Sequence, residues 1–123
     1  MCKIVTPVVT VFDEKEKPDY EGNKKVIDFL IEGGVDGILV LGSSGEFTGL
    51  TKQEKHDFFK FYADYTAGRT KLYAGTGSLN FEDTVALSNE VNEMGYEQWL
   101  SDHVIMHWIR KRFLYIMIRL QSQ

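Results

Sequence analysis

The sequence predicts an α/β fold built on a parallel sheet, and three observations carry that reading. Apolar runs alternate with helix-type stripes at the spacing of strand–loop–helix units. The best run, Ile38-Leu39-Val40-Leu41, is continuously apolar rather than alternating. That pattern suits a strand buried on both faces, as parallel strands are. Finally, capping residues and glycines fall at the ends of the stripes, where helices start and stop.

Cys2 to Val5 is a short apolar opening run, followed by the turn-rich stretch Asp13–Asp19. Asp19 is placed to N-cap a helix whose stripe is Val26, Ile27, Leu30 and Ile31. Gly33-Gly34 ends it, because glycine accepts the left-handed conformation after a last turn. After the run at 38–41, Thr51-Lys52-Gln53-Glu54 has the capping-box pattern, in which hydroxyl and carboxylate satisfy each other's free backbone donors. Phe58, Phe59, Tyr62 and Tyr65 give the second helix its buried face, with Gly68 as its stop. Lys71–Ala74 is the next strand. Asn80 caps a third helix with Phe81, Thr84, Val85, Ser88 and Val91 along one side and Gly95 at its end. The repeat implies right-handed crossovers between parallel strands. A fourth strand is due at residue 98, but Gln98-Trp99-Leu100-Ser101-Asp102-His103 has no strand pattern.

The 123 residues are 43% hydrophobic and 26% charged, with a formal net charge of −4. That composition belongs to a globular chain with one modest core, and its acidic balance offers nucleic acid no footprint. A single cysteine, Cys2, excludes an internal disulfide framework. Met1–Pro7 lacks the apolar core of a secretory leader, so the expected location is cytoplasmic.

The average conceals a break after Glu97. Residues 1–97 carry 10 basic and 17 acidic side chains, a net of −7, whereas the last 26 residues carry four bases against one acid, a net of +3. All 11 glycines precede the break and both tryptophans follow it.

In parallel α/β folds the working residues lie on the loops after the strands. Gly42-Ser43-Ser44-Gly45-Glu46 is one such loop. Its glycines allow a sharp turn, and adjacent hydroxyls with free amides make a pocket for a small carboxylate or phosphate. The alternative is a tight turn whose serines bond their own backbone. Gly75-Thr76-Gly77-Ser78-Leu79-Asn80 fails as a dinucleotide fingerprint, lacking the third glycine and the acidic ribose partner. It reads as a strand-to-helix turn. His56 reads as a solvated helix histidine and Lys24-Lys25 as surface charge. A Schiff-base lysine needs burial or a cationic neighbour, and no lysine of residues 1–97 falls at the end of a strand.

At Gly42–Glu46 a resemblance becomes visible. Thr6-Pro7-Val8-Val9-Thr10, Phe12-Asp13, Asp19-Tyr20, Phe29-Leu30, Gly34-Val35-Asp36-Gly37 and Leu41–Phe47 resemble the N-terminal part of the dihydrodipicolinate synthase / N-acetylneuraminate lyase family. Leu50-Thr51 with Glu54, then Ala74–Gly77 with Asn80 and Thr84, continue the likeness through Gly95. Departures are Val11, where the family usually has proline, and Glu16, where a turn glycine is common. The resemblance implies the first three βα units of a (β/α)₈ barrel, incomplete in 1–97. It implies a lyase of the class I aldolase type, such as a dihydrodipicolinate synthase, an N-acetylneuraminate lyase or a 2-keto-3-deoxy sugar-acid aldolase. Such enzymes form a Schiff base with pyruvate or another 2-oxo acid, need no further cofactor or metal, and are commonly homotetramers. By the same resemblance Ser43 matches the hydroxyl that helps relay protons, while Ser44, with Gly45, matches the site of the substrate carboxylate. The family's catalytic tyrosine and Schiff-base lysine would fall beyond residue 123, so residues 1–123 alone are expected to be inactive.

Residues 98–123 match nothing in that family and hold two apolar runs, Val104–Ile109 and Phe113–Ile118, around Arg110-Lys111-Arg112. The stretch is too short and too charged at its centre for a membrane span of ~20 apolar residues. The expected cause is a lost base after codon 97, with a genuine divergent tail as the alternative. In the adjacent frame the codons of Met106–Ile109 force Ala-Leu-Asp, and those before them permit Pro-x-Tyr-Tyr, which the family carries after its fourth strand. The competing functions are a small non-catalytic module binding a carboxylate or a partner, and a membrane-surface protein using the basic tail.

Overall fold

The computed structural model describes residues 3–78 and 80–99. Strands β1 (Val5–Pro7), β2 (Gly37–Val40), β3 (Lys71–Gly75) and β4 (Glu97–Trp99) alternate with helices α1 (Tyr20–Glu32), α2 (Lys52–Thr66) and α3 (Phe81–Glu93). The strands form one parallel sheet in the order β1-β2-β3-β4. Two short 3₁₀ turns, Ser43–Gly45 and Phe47–Gly49, separate β2 from α2.

The helix signals act as their chemistry requires. The Asp19 carboxylate accepts from the Glu21 amide, and Asn80 accepts from Glu82 in the same way. Thr51 and Glu54 close both halves of the capping box. The continuous run predicted for β2 is buried along its whole length, and the α2 aromatics Phe58, Phe59 and Tyr62 are shut off from solvent. Tyr96, just before β4, packs edge-on against Phe59 at 5.4 Å, and its hydroxyl donates to the Phe59 carbonyl at 2.7 Å. The third helix and the fourth strand are thereby tied to the second helix.

The first strand, Val5–Pro7, begins at the last residue of the apolar opening run. Val8 donates its N–H to Leu39, so the alternation of a strand turns the missing N–H of Pro7 toward the open edge, where a strand tolerates proline. Two expectations need correction. The fourth strand exists despite its unpromising sequence, pairing Tyr73 with Glu97, Ala74 with Gln98 and Gly75 with Trp99. The unpaired backbone groups of β3 supply the template, so a three-residue strand forms without an apolar pattern of its own. Helix α2 ends one step before its predicted glycine. Ala67 takes the left-handed conformation at φ 47°, and Gly68 follows at φ 75°. The altered-frame reading of the tail lies outside the described residues beyond Trp99.

The loop after β1 is fixed from both ends. Phe12 and Pro18 form an antiparallel bridge, and the Asp13 carboxylate accepts from the Lys15 and Lys17 amides. Glu16 sits at φ 59°, the left-handed region that glycine enters without strain, which explains why a turn glycine suits this place. Lys17 then reaches the capping box, its ammonium 2.6 Å from Glu54.

Glu54 therefore couples the fold to pH. The Lys17 ammonium first, and the Thr51 amide and hydroxyl next, pull its carboxyl from 4.5 down to about 2. A depressed acid contributes stability that is complete above its unfolded value and disappears as pH falls through the folded one. Thermal melts of the wild type should lose temperature between pH 4.5 and about 2. Melts of Glu54→Gln should start lower at neutral pH and fall less over that window; parallel curves would show that this carboxylate is uncoupled from folding.

Candidate functional site

The loop after β2 is held in an unusual backbone path. Leu41, the residue next to the strand, is left-handed at φ 52°, and Glu46 is left-handed at φ 55°. Between them Gly42 is extended and Ser43–Gly45 forms one 3₁₀ turn, closed by Gly45 N–H to Gly42 O at 2.9 Å and Glu46 N–H to Ser43 O at 3.3 Å. Two non-glycine residues at positive φ within six positions are an investment of backbone strain, which persists only where the surroundings fix it.

The surroundings are identifiable. The Leu41 carbonyl lies against Gly75 at the end of β3, so closely that a methyl at Gly75 would stand 2.2 Å from the carbonyl oxygen and 3.0 Å from the Gly42 nitrogen. No side chain fits there. On the other side the Thr10 hydroxyl, buried, donates to the Gly45 carbonyl at 2.7 Å. A methyl at Gly45 would come within 3.3 Å of the Val8 carbonyl. The turn is thus clamped between the end of β3 and the segment after β1, all at the C-terminal edge of the sheet.

Ser43 and Ser44 lie exposed on this clamped turn, and Gly45 is buried beneath them. Neither serine hydroxyl has a hydrogen-bond partner among the described residues, so the turn is not one whose serines bond their own backbone. Phe47 continues the loop, and the Lys55 ammonium stands 5.3 Å from its ring centre. Half-burial pushes that ammonium's pKa down, with Asp83 acting against the shift.

The second glycine loop behaves differently. Ser78 accepts from the Asn80 amide at 3.2 Å, Thr84 accepts from the Ser78 amide at 3.1 Å, and Asn80 caps α3. The Ser88 hydroxyl donates to buried Thr76 at 2.9 Å. Its polar groups are consumed in starting a helix, as a strand-to-helix turn requires, and its contribution to the first loop is Gly75.

The remaining candidates fall on helix surfaces. His56 is not merely solvated: its Nδ1 lies 3.0 Å from a Glu90 carboxylate oxygen, beside a Lys52–Asp83 ion pair that also joins α2 to α3. Lys24 pairs with Glu21 at 2.6 Å and is held above the ordinary lysine range by that bond, so it stays a cation. Among the described residues no group of histidine, cysteine and acidic side chains could hold a metal ion. None of their helices is long and apolar enough to cross a membrane. Thr10 and Leu41 escaped sequence reasoning. Thr10 reaches its partner across 35 residues, and nothing local marks a leucine for positive φ.

A parallel sheet with helical crossovers and a strained loop at a strand's C-terminal end, bearing two serine hydroxyls without a partner among the described residues, are parts from which a (β/α) barrel is built. The sequence profile of the Dihydrodipicolinate synthetase family matches residues 1–101. The 4-hydroxy-tetrahydrodipicolinate synthase of Lactobacillus acidophilus is 38% identical over 91 residues, which are 74% of this chain and 29% of that protein. An N-acetylneuraminate lyase structure from Mycoplasma synoviae superposes with a TM-score of 0.72 at 36% identity, covering 81% of this chain and 37% of the lyase. YagE of E. coli K12, a prophage protein of the dihydrodipicolinic acid synthase family solved in complex with pyruvate, superposes at 0.82 with 27% identity, covering 98% of this chain and 41% of YagE. The chain belongs to the dihydrodipicolinate synthetase family, and its fold is the opening part of that family's (β/α)₈ barrel. It spans about a third of the length of its relatives, 29% in the case of the L. acidophilus enzyme.

Proposed function

We propose that the Ser43–Gly45 turn is the carboxylate site of a cytoplasmic lyase that forms a Schiff base with pyruvate or a related 2-oxo acid. The observation that carries the reading is the pair of serine hydroxyls, without a partner among the described residues, on a turn clamped at the strand ends. Ser44, with the Gly45 backbone, would hold the carboxylate. Ser43 would pass a proton to and from the reacting carbonyl. Hydroxyls carried on a fixed backbone turn are effective here because the chain that bears them needs no rearrangement when the anion arrives. The pyruvate complex of YagE supports the substrate class.

The same proposal assigns no nucleophile to residues 1–123. A Schiff base needs a neutral amine beside the bound carbonyl. Lys71 begins β3 rather than ending it, and the remaining described lysines lie on loops and helices. The 123 residues should therefore bind pyruvate without turning it over. Titration of pyruvate into the purified chain should show saturable binding, weakened about tenfold in Ser44→Ala by loss of one charge-assisted hydrogen bond of about 1.5 kcal/mol. Borohydride should trap no pyruvate above background. Stoichiometric trapping on one lysine, or full binding by Ser44→Ala, would sink the assignment.

We further propose that the shift in composition after Glu97 marks an altered reading frame, with 98–123 out of frame. The shift sets in within a few residues of position 101, where the family match stops. Sequencing the gene across codon 98 should reveal a family-like continuation in the adjacent frame, and an adjacent frame without one would refute this.

A further inference from the structure

We infer that Thr10 is the positioning residue of the Ser43–Ser44 hydroxyls, itself held in register by a side-chain clamp from Asn23. The inference rests on the carboxylate reading of that turn and adds to it the group that sets its geometry.

Thr10 lies beyond β1 and is only 6% exposed. Its hydroxyl donates to Gly45 O at 2.7 Å. Gly45 is the last residue of the 3₁₀ turn whose first two residues are Ser43 and Ser44. Fixing that carbonyl fixes the plane of the closing peptide, and a turn of three residues has few torsions left through which its serines could drift. Without the hydroxyl the carbonyl would be buried and unsatisfied, and the turn would tilt toward water to recover a bond.

Thr10 has its own anchor one residue on. Fully buried Asn23 on α1 engages both backbone groups of Val11. Its Nδ2 donates to Val11 O at 2.9 Å, and its Oδ1 accepts from Val11 N–H at 3.2 Å. The same Nδ2 donates to Asp19 O at 2.7 Å, and the Tyr62 hydroxyl lies 3.5 Å from Oδ1. A side-chain amide engaging both groups of one residue acts as a substitute strand partner where the sheet has ended. Gly22 lets the helix approach this closely, since a methyl there would stand 2.8 Å from a Val11 methyl. The path from α1 to Gly45 runs through the buried or half-buried hydrogen bonds of Asn23 to Val11, the peptide link from Val11 to Thr10 and the hydrogen bond of Thr10 to Gly45, and the two serines are at its end.

Thr10→Val keeps the shape and removes the donor, whereas Thr10→Ser keeps the donor. Hydrogen exchange by mass spectrometry on the full chain should show the segment 42–50 exchanging at least tenfold faster in Thr10→Val, with the segments containing β2 and β3 unchanged. Pyruvate should bind about tenfold more weakly to the same variant. Thr10→Ser should restore both. Unchanged exchange at 42–50 in Thr10→Val would overturn the inference. Equal loss of protection across β2, β3 and the loop would also overturn it, because the hydroxyl would then support the whole fold. If pyruvate fails to bind even the wild type, the carboxylate reading falls, and the exchange pattern alone decides the role of Thr10.

Discussion

The carbonyl of Leu41 rests on Gly75, and the rest of the candidate site depends on that contact. A parallel strand normally runs on into its loop with its carbonyls aligned along the sheet. Here the chain turns out of β2 through a left-handed leucine, which directs the carbonyl into the space that a side chain on β3 would have filled. The strain of a bulky residue at positive φ, about 1–2 kcal/mol, is tolerated because the neighbouring strand leaves no alternative path. The path of the next four residues is a consequence. Gly42 is extended, the 3₁₀ turn closes, and the two serine hydroxyls are left exposed at the C-terminal edge of the sheet.

The scaffold around this contact uses inexpensive local devices. Three side-chain caps start the three helices, each contributing about 1 kcal/mol. The aromatic face of α2 provides the core, and the Asp28 carboxylate ties α1 to the end of α2 by accepting from Tyr65 at 2.7 Å and Arg69 at 3.0 Å. The Tyr65 hydroxyl and then the Arg69 guanidinium hold that acid below the usual carboxylate range. These interactions place the strands, but none reaches the serines. The serines are set by longer-range contacts: Thr10 to Gly45, and Leu41 to Gly75.

That division explains what the sequence could disclose. Caps, stripes and the continuous run of β2 are properties of neighbouring residues, so Asp19, Thr51, Asn80 and Ile38–Val40 are legible in the amino-acid order alone. The serine loop is legible as a location and as a chemistry, although not as a choice between an anion pocket and a self-bonded turn. β4 is illegible because its conformation comes from β3. Thr10 is illegible because a threonine after a strand looks the same whether or not a glycine carbonyl 35 residues away needs its proton. Gly75 reads as the first residue of a turn, whereas it is the last residue of β3, and its reason lies in the space that the Leu41 carbonyl occupies rather than in its own torsion angles.

The most direct measurement compares the unfolding free energies of Gly75→Ala and Gly49→Ala in the same chain. Gly49 lies on the same loop, seven residues beyond Gly42, and a methyl there would meet nothing within 4 Å. If the contact governs the region, Gly75→Ala should lose about 3 kcal/mol through overpacking against backbone. Gly49→Ala should lose nothing, or gain up to about 1 kcal/mol from a less flexible unfolded chain. Equal stabilities for the two variants would contradict the dependence of the site on the Leu41 carbonyl and Gly75.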